Sequence, residues 1–323
     1  MSVPGQQFTY GPSNVDALLS TTLAAIPKKK FADNIFTKIP LFMWFKKKAK
    51  LTVDGGANLM MPLMYGKNST AKSYSGYGVI DTTPQEGLTA ASYLWAQYAA
   101  TISISGLEDR IQNVGSAAII KILESKVTQA EMSLADKLDI DLWASGVTGT
   151  NINTVVTLVD TTTTIGQVSK SSNSWWQAQS TASGSFAARG LADMRNIYNN
   201  ITNQSLAKGA PDLICSDQAS YQYYEATVQP QLRYSDTDMA DAGFENLRFK
   251  GATMTYDPNT PSGKMYFLSS DALKLVTNKG TNFITTKFIQ PANQDAKVAQ
   301  LLWAGQLASD NIRRLGVMTG ITA

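Results

Sequence analysis

The spacing of apolar positions changes several times along this chain, and each change marks a different element. Residues 90–105 read as strand around 93–100 and then alternate strictly, with Thr101, Ile102, Ser103, Ile104 and Ser105 at a period of two. Past Gly106 the period becomes helical. Ile119, Leu123, Val127, Ala130, Leu134, Leu138 and Leu142 recur every three or four residues, and Gly146 supplies the terminating glycine. Lys121, Lys137, Asp139 and Asp141 fall on the opposite, polar face. A helix over residues 115–145 would run roughly 45 Å at 1.5 Å per residue, the length of a spine rather than of an ordinary domain helix.

Upstream of this spine the pattern is looser. Residues 1–50 read as an extended arm with one short helix over 15–26, capped by Ser13 or Asn14 and stopped by Pro27. The apolar, aromatic stretch 31–45 has no clean period and needs a surface to lie on, its own or a neighbour's. Residues 51–87 read as a long hairpin. A turn at Gly55–Gly56 opens it, the apolar run 59–65 climbs to a polar tip at 67–73, and residues 74–80 return as the second strand. A lone two-stranded ribbon is marginal, so it must be covered by something.

Downstream, residues 147–185 are rich in Thr and Ser, with short strands expected around 154–159 and an aromatic pair at Trp175–Trp176. A compact unit follows. It combines helices over 186–201 and 219–228 with a buried strand at 211–216 and short strands at 244–249, 252–256 and 264–268. An apolar strand over 298–308 and a closing segment over 316–321 end the chain.

Composition narrows the chemistry. No histidine is present and Cys215 is the only cysteine, which removes the commonest general base, imidazole metal ligation and any intramolecular disulfide. A thiol in an apolar strand is usually a small hydrophobe. Ser69 and Lys72 have the S-x-x-K spacing of serine acyl-enzymes, but at a loop tip and without companion motifs, and so short a pattern arises often by chance. Asp236, Asp238 and Asp241 lack the glycine and distal glutamate of a calcium loop. No phosphate-binding glycine loop occurs. Trp175 and Trp176 keep a sugar-stacking platform open as an alternative, although paired tryptophans more commonly enter cores or interfaces. These patterns predict no enzyme, no cofactor and no metal.

Charge is sparse, at 16% of residues with a net +3, which suits a neutral polar surface more than a nucleic-acid reader. The lysines are uneven, however. Lys28, Lys29, Lys30, Lys46, Lys47 and Lys48 crowd the arm, either as a solvated basic face or facing phosphate or an acidic partner. No segment is long and apolar enough to suggest a membrane span, and a single cysteine without an export signal points to synthesis in a reducing cytoplasm.

The order of elements, from basic apolar arm through glycine-punctuated hairpin and spine helix to a compact α/β unit, resembles the major capsid proteins of tailed bacteriophages. Their shell fold is shared with encapsulins and herpesvirus capsids. Local sequence carries the likeness: FADNIF from Phe31 and LFMWFKKK from Leu41 look like the family's arm, and YLWAQYAATISISG from Tyr93 looks like the strand before the spine. Trp175–Trp176, PDLICS from Pro211, YYE from Tyr223 through QLRY from Gln231, GFENLRFKGA from Gly243, and Tyr256-Asp-Pro before MYFL from Met265 extend it over nearly the whole chain.

The resemblance implies an α+β capsid fold in four parts. These are an N-terminal arm (1–50), an extended β-hairpin loop (51–87), a peripheral domain with the spine helix (88–184 and 281–323) and an axial α/β domain (185–280). It implies a structural protein that self-assembles through hexamers and pentamers into an icosahedral shell around double-stranded DNA. Its partners would be a separate scaffolding protein, a portal and a decoration protein; it would be assembled in the host cytoplasm and located in the virion. A protein-nanocompartment shell is the alternative. Expected intersubunit contacts are Leu59, Met61, Leu63, Tyr65, Lys67, Lys72 and Tyr74 of the hairpin, with Phe42 and Trp44 of the arm. The arm lysines are the expected nucleic-acid-facing or partner-facing residues.

Overall fold

Leu213–Ser216 is buried at every position, and that explains the architecture around it. A strand covered on both faces cannot alternate, so it reads as one apolar run. In the computed structural model, which describes residues 39–106, 122–147, 149–204, 209–232, 247–292 and 294–323, this strand lies inside a six-stranded mixed sheet. Strands are numbered in chain order: β1 Lys50–Val53, β2 Leu59–Met64, β3 Leu88–Tyr93, β4 Ala96–Ser105, β5 Thr164–Ile165, β6 Val168–Ser169 and β7 Gln179–Ala182. They continue with β8 Leu213–Ser216, β9 Arg248–Phe249, β10 Ala252–Tyr256, β11 Met265–Leu268, β12 Leu273–Thr285, β13 Ala296–Ser309 and β14 Gly316–Thr319. The helices are α1 Pro40–Lys48, α2 Ile122–Leu142, α3 Val155–Val159, α4 Leu191–Thr202 and α5 Gln218–Leu232.

The six-stranded sheet has the order β7-β14-β11-β8-β10-β9, with β8 parallel to β10 and antiparallel to β11. Helices α4 and α5 cover one face. There Met194, Ile197 and Ile201 join Ile214, Met254, Met265, Phe267 and Met318 in one buried cluster. The alternate residues point the other way, and Tyr266 packs against Trp143 with ring centroids 5.0 Å apart. Cys215 lies in β8, fully buried, and burial pushes its thiol well above its usual range. It is a small hydrophobe, as its sequence context predicts.

The chain divides into two compact units. Among the described residues the smaller unit holds 99–106, 122–133 and 285–301. Its chain reversal is closed by the Gly106 N–H on the Asp295 carbonyl (2.8 Å), by Ile289 bridging Val298, and by Lys126 donating to the Ser103 carbonyl (3.1 Å). The larger unit holds the six-stranded sheet and the ribbon formed by β2 and β3. It also contains the parallel pairing of β1 with β12, which starts at Lys50 opposite Leu275. A four-stranded sheet has the order β1-β12-β13-β4.

Several expectations change. The return strand of the hairpin is Leu88–Tyr93, not residues 74–80, because the register pairs Leu59 with Tyr93 and Met64 with Leu88. Residues 65–87 form a long loop instead. Residues 154–159 are helical: the Thr154 hydroxyl accepts the Thr157 N–H at 2.9 Å, and this cap outweighs the strand preference of Val155 and Val156. Strand β12 has no counterpart in the sequence reading. Asp139 and Asp141, expected on the solvated face of the spine, are buried. The spine itself is helical over Ile122–Leu142, with Leu134, Leu138 and Leu142 in the core. The helix expected over 15–26, Lys28–Lys30, the start of the spine with Ile119, and Asp236, Asp238 and Asp241 lie outside the described residues.

Candidate assembly surfaces

The ribbon of β2 and β3 shows how the sequence divides inward from outward. Leu59, Met61 and Leu63 alternate with Met60, Pro62 and Met64, and the first set faces in: Leu59 and Leu63 are buried and Met61 is half-buried. The outward set is exposed, with Met64 at 78% directly opposite Leu88 at 75%. Leu59 and Leu63 are therefore covered by their own chain, which corrects their expected role as intersubunit contacts. Period-two alternation leaves Met60, Met64 and Leu88 on the exposed face of the ribbon.

Beyond the ribbon, residues 67–86 project as an arm with its own hydrogen bonds. Ser69 donates its hydroxyl to Gln85 Oε1 (2.7 Å), tying the two limbs together. Asn68 accepts from the Thr70 N–H and hydroxyl, and Asp81 accepts from the same two groups of Thr83. Those bonds from Thr83 lower the Asp81 carboxyl below its ordinary value. The Ser69 proton is thus committed to an amide that cannot act as a base, so the Ser69/Lys72 spacing builds no nucleophile. Tyr74, Tyr77, Val79 and Ile80 are exposed at the tip, Tyr77 completely. Lys67 and Lys72 are exposed on the same arm, and Tyr65 at its root is 41% exposed. Among the described residues nothing covers this apolar tip.

Helix α1 carries the other expected contacts. Leu41, Phe42, Trp44 and Phe45 are all buried, so Phe42 and Trp44 also find cover at home; the expectation of an intersubunit role for them is corrected. The reason lies in the first turn. Ile39 cannot cap the helix and Pro40 occupies its first position, leaving the next N–H groups to be satisfied from a distance. Asp139 of α2 accepts the Phe42 N–H (3.3 Å) and the Asn259 side-chain N–H (3.0 Å). Asp257 accepts the Asn259 backbone N–H (2.9 Å) and draws on the Leu41 N–H. The Trp143 indole N–H approaches Asp257 without a hydrogen bond of ordinary geometry.

Both carboxylates are fully buried and adjacent. Burial first, and then the charge of Asp257, raises the Asp139 carboxyl to about 7; burial raises Asp257 as well. Two charges side by side in this buried site disfavour each other, so the pair favours carrying one proton between them, and Asp257 Oδ2 has no hydrogen-bond partner among the described residues.

The lysines in the last turn of α1 are mostly engaged. Lys46 lies over the rings of Phe42 (5.7 Å) and Phe283 (5.4 Å), and Lys48 pairs with Asp212 at 3.6 Å. Lys47 is exposed.

Trp175 and Trp176 do not form a platform. Trp176 is buried with its indole N–H on the Ile165 carbonyl (3.2 Å), while Trp175 stacks against Tyr65 with centroids 5.4 Å apart and planes at 29°. Beside them sits a residue that the sequence reading missed. Lys170 is fully buried, and its ammonium donates to the carbonyls of Thr157 (2.5 Å), Leu158 (2.9 Å) and Asp160 (2.7 Å). Burial lowers its pKa to about 8, with the nearby charge of Asp160 acting against that shift. Nothing local in the sequence separates this lysine from a surface one. The neighbouring carboxylate, Asp160, is spent on capping Thr161 and Thr163.

Among the described residues no cluster of three metal-ligating side chains occurs, and no helix is long and apolar enough to cross a membrane. No protein-family model matches the sequence, and no curated protein matches it either. Solved structures do. The capsid of cyanophage A-1(L) superposes with a TM-score of 0.66 at 17% identity, over 95% of this chain and 99% of that one. The capsid of Myoviridae phage XM1 gives 0.57 at 12% identity over 93% and 98%, and the SrpI encapsulin of Synechococcus elongatus gives 0.60 at 9% over 94% and 95%. The chain has the tailed-phage capsid shell fold. Matching over almost the full length of both partners makes this a likeness of whole subunits.

Proposed function

We propose that this chain is the major capsid protein of a tailed bacteriophage, a structural subunit without a catalytic site. The observation that carries the reading is the exposed apolar arm on a subunit fold matched end to end by phage capsids. Copies of the chain assemble as hexamers and pentamers into a closed shell around double-stranded DNA. A separate scaffolding protein, a portal and a decoration protein complete the assembly, which takes place in the host cytoplasm before the shell becomes the virion. The four-part division into arm, extended loop, peripheral domain and axial domain is retained, with the loop's ribbon now including β3. The intersubunit residues are Tyr65, Lys67, Lys72 and Tyr74 of the arm and the outward ribbon face. Lys47, exposed on α1, and Lys28–Lys30 of the arm are the proposed cations facing nucleic acid or a partner.

The likeness to an encapsulin supports a second reading, a nanocompartment that encloses protein cargo. Particles purified from the source and treated with nuclease distinguish the two. Protected genome-length double-stranded DNA supports the capsid; particles holding only a protein cargo overturn it.

A further inference from the structure

The projecting arm leaves the ribbon through a narrow root. The Tyr65 and Gly66 N–H groups both donate to the Gly87 carbonyl (2.9 and 3.4 Å). The limbs touch there: a Cβ on Gly66 would lie 3.2 Å from the Gly87 Cα, and one on Gly87 would lie 3.1 Å from the Gly66 carbonyl oxygen. A side chain at either position would be a tight fit at this crossing. One residue before it, the Tyr65 ring lies flat on Trp175.

Trp175 is itself held. Its indole N–H donates to Asn173 Oδ1 (3.1 Å), and the Asn173 amide donates to the Ser169 carbonyl (2.9 Å). Ser169 precedes Lys170, whose ammonium gathers the carbonyls at the end of α3. The same loop also grips the ribbon directly, through the Ser92 N–H on the Gly166 carbonyl (3.0 Å). A Cβ on Gly166 would meet the Ala91 side chain at 2.7 Å. Residues 154–177 thus form a hydrogen-bonded block against which both the ribbon and the arm's root rest.

We infer that this Lys170-centred block is the abutment that sets the direction of the 67–86 arm, with Trp175 as the positioning residue that orients it toward a neighbouring copy of the chain. The inference rests on the capsid reading. A shell closes at one size only if each subunit reaches its neighbour within a narrow range of angles, since a heterologous contact whose rotation misses closure runs on as an open assembly. The Tyr65–Trp175 stack supplies that angle at a point where the backbone has only two hydrogen bonds of its own.

The test uses the full chain with its scaffolding partner and compares Trp175→Leu, Trp175→Phe and Tyr65→Ala with wild type. An aromatic pair of this kind changes the docked fraction of the arm by roughly two- to tenfold per subunit. The multiplicity of subunits amplifies that into loss of uniform shells. Trp175→Leu and Tyr65→Ala are expected to give folded subunits that form open or size-scattered assemblies in electron micrographs, and Trp175→Phe to restore a single diameter. In the unassembled subunits, tryptic cleavage after Lys67 and Lys72 should be faster in the same two variants, by the same two- to tenfold range. Uniform shells from Tyr65→Ala, whose half-exposed ring is not needed for folding, overturn the inference even if Trp175→Leu misfolds. Unchanged cleavage rates overturn it too. If wild type forms no shells, the capsid reading fails, and the cleavage rates alone still decide whether the block holds the arm.

Discussion

Asp139 and Asp257 hold the first turn of α1 with two buried carboxyls and one proton, and this has a consequence for pH. A carboxyl raised to about 7 in the folded chain binds its proton more tightly than the same group unfolded, near 4. The folded state therefore carries the extra proton between those values, and the stability it contributes is complete below the lower one and lost as pH rises through the upper one. Denaturant midpoints of isolated subunits should fall as pH rises from about 5 to about 8, and Asp139→Asn should flatten that slope. An identical slope in the variant would place the titration elsewhere. Lys170 offers a second test at this scale: Lys170→Met strands three carbonyls and should cost about 2–4 kcal/mol in urea unfolding, whereas a surface lysine costs almost nothing. Neither site is legible in sequence. Asn259 and Asp139 meet across 120 residues, and Lys170 looks like any lysine in a polar loop.

At the scale of elements, legibility follows burial. Strands β8 and β11 are covered on both faces, and their continuous apolar runs identify them directly. The tail of β12 is half-exposed and carries Asn278, Lys279 and Gly280, residues that strands usually avoid, so no local signal announces it. The return strand of the hairpin is hidden for a different reason. Residues 74–80 have the glycine-spaced look of a returning strand, but pairing is decided by register, and the observed one sets buried Leu59 opposite buried Tyr93. The corrected register predicts which face of the ribbon meets another subunit. Met64→Glu with Leu88→Glu should leave the thermal transition of the isolated subunit within about 2 °C, because neither side chain is buried, yet should abolish assembly. Normal assembly of this double variant, seen by sedimentation, would leave the outward face without a partner.

The whole molecule pairs a well-buried core with an arm whose apolar tip is exposed. The six-stranded sheet buries its apolar side chains under its helices and the Lys170 ammonium is met by three carbonyls, whereas Tyr74, Tyr77, Val79 and Ile80 are displayed to solvent. At this scale the sequence reading came closest, since the order of arm, hairpin, spine and α/β unit is enough to suggest a shell protein. What it could not place was the boundary between what the subunit buries itself and what it leaves for its neighbours, because that boundary runs between alternate residues of one strand. Replacing residues 67–86 by a short Gly/Ser linker removes the arm while keeping β2, β3 and their buried side chains. Sedimentation velocity of this variant with its scaffolding partner, beside wild type, is the most direct measurement: a folded subunit that stays small while wild type forms closed shells is the predicted result, and shells of normal size from the armless chain would contradict it.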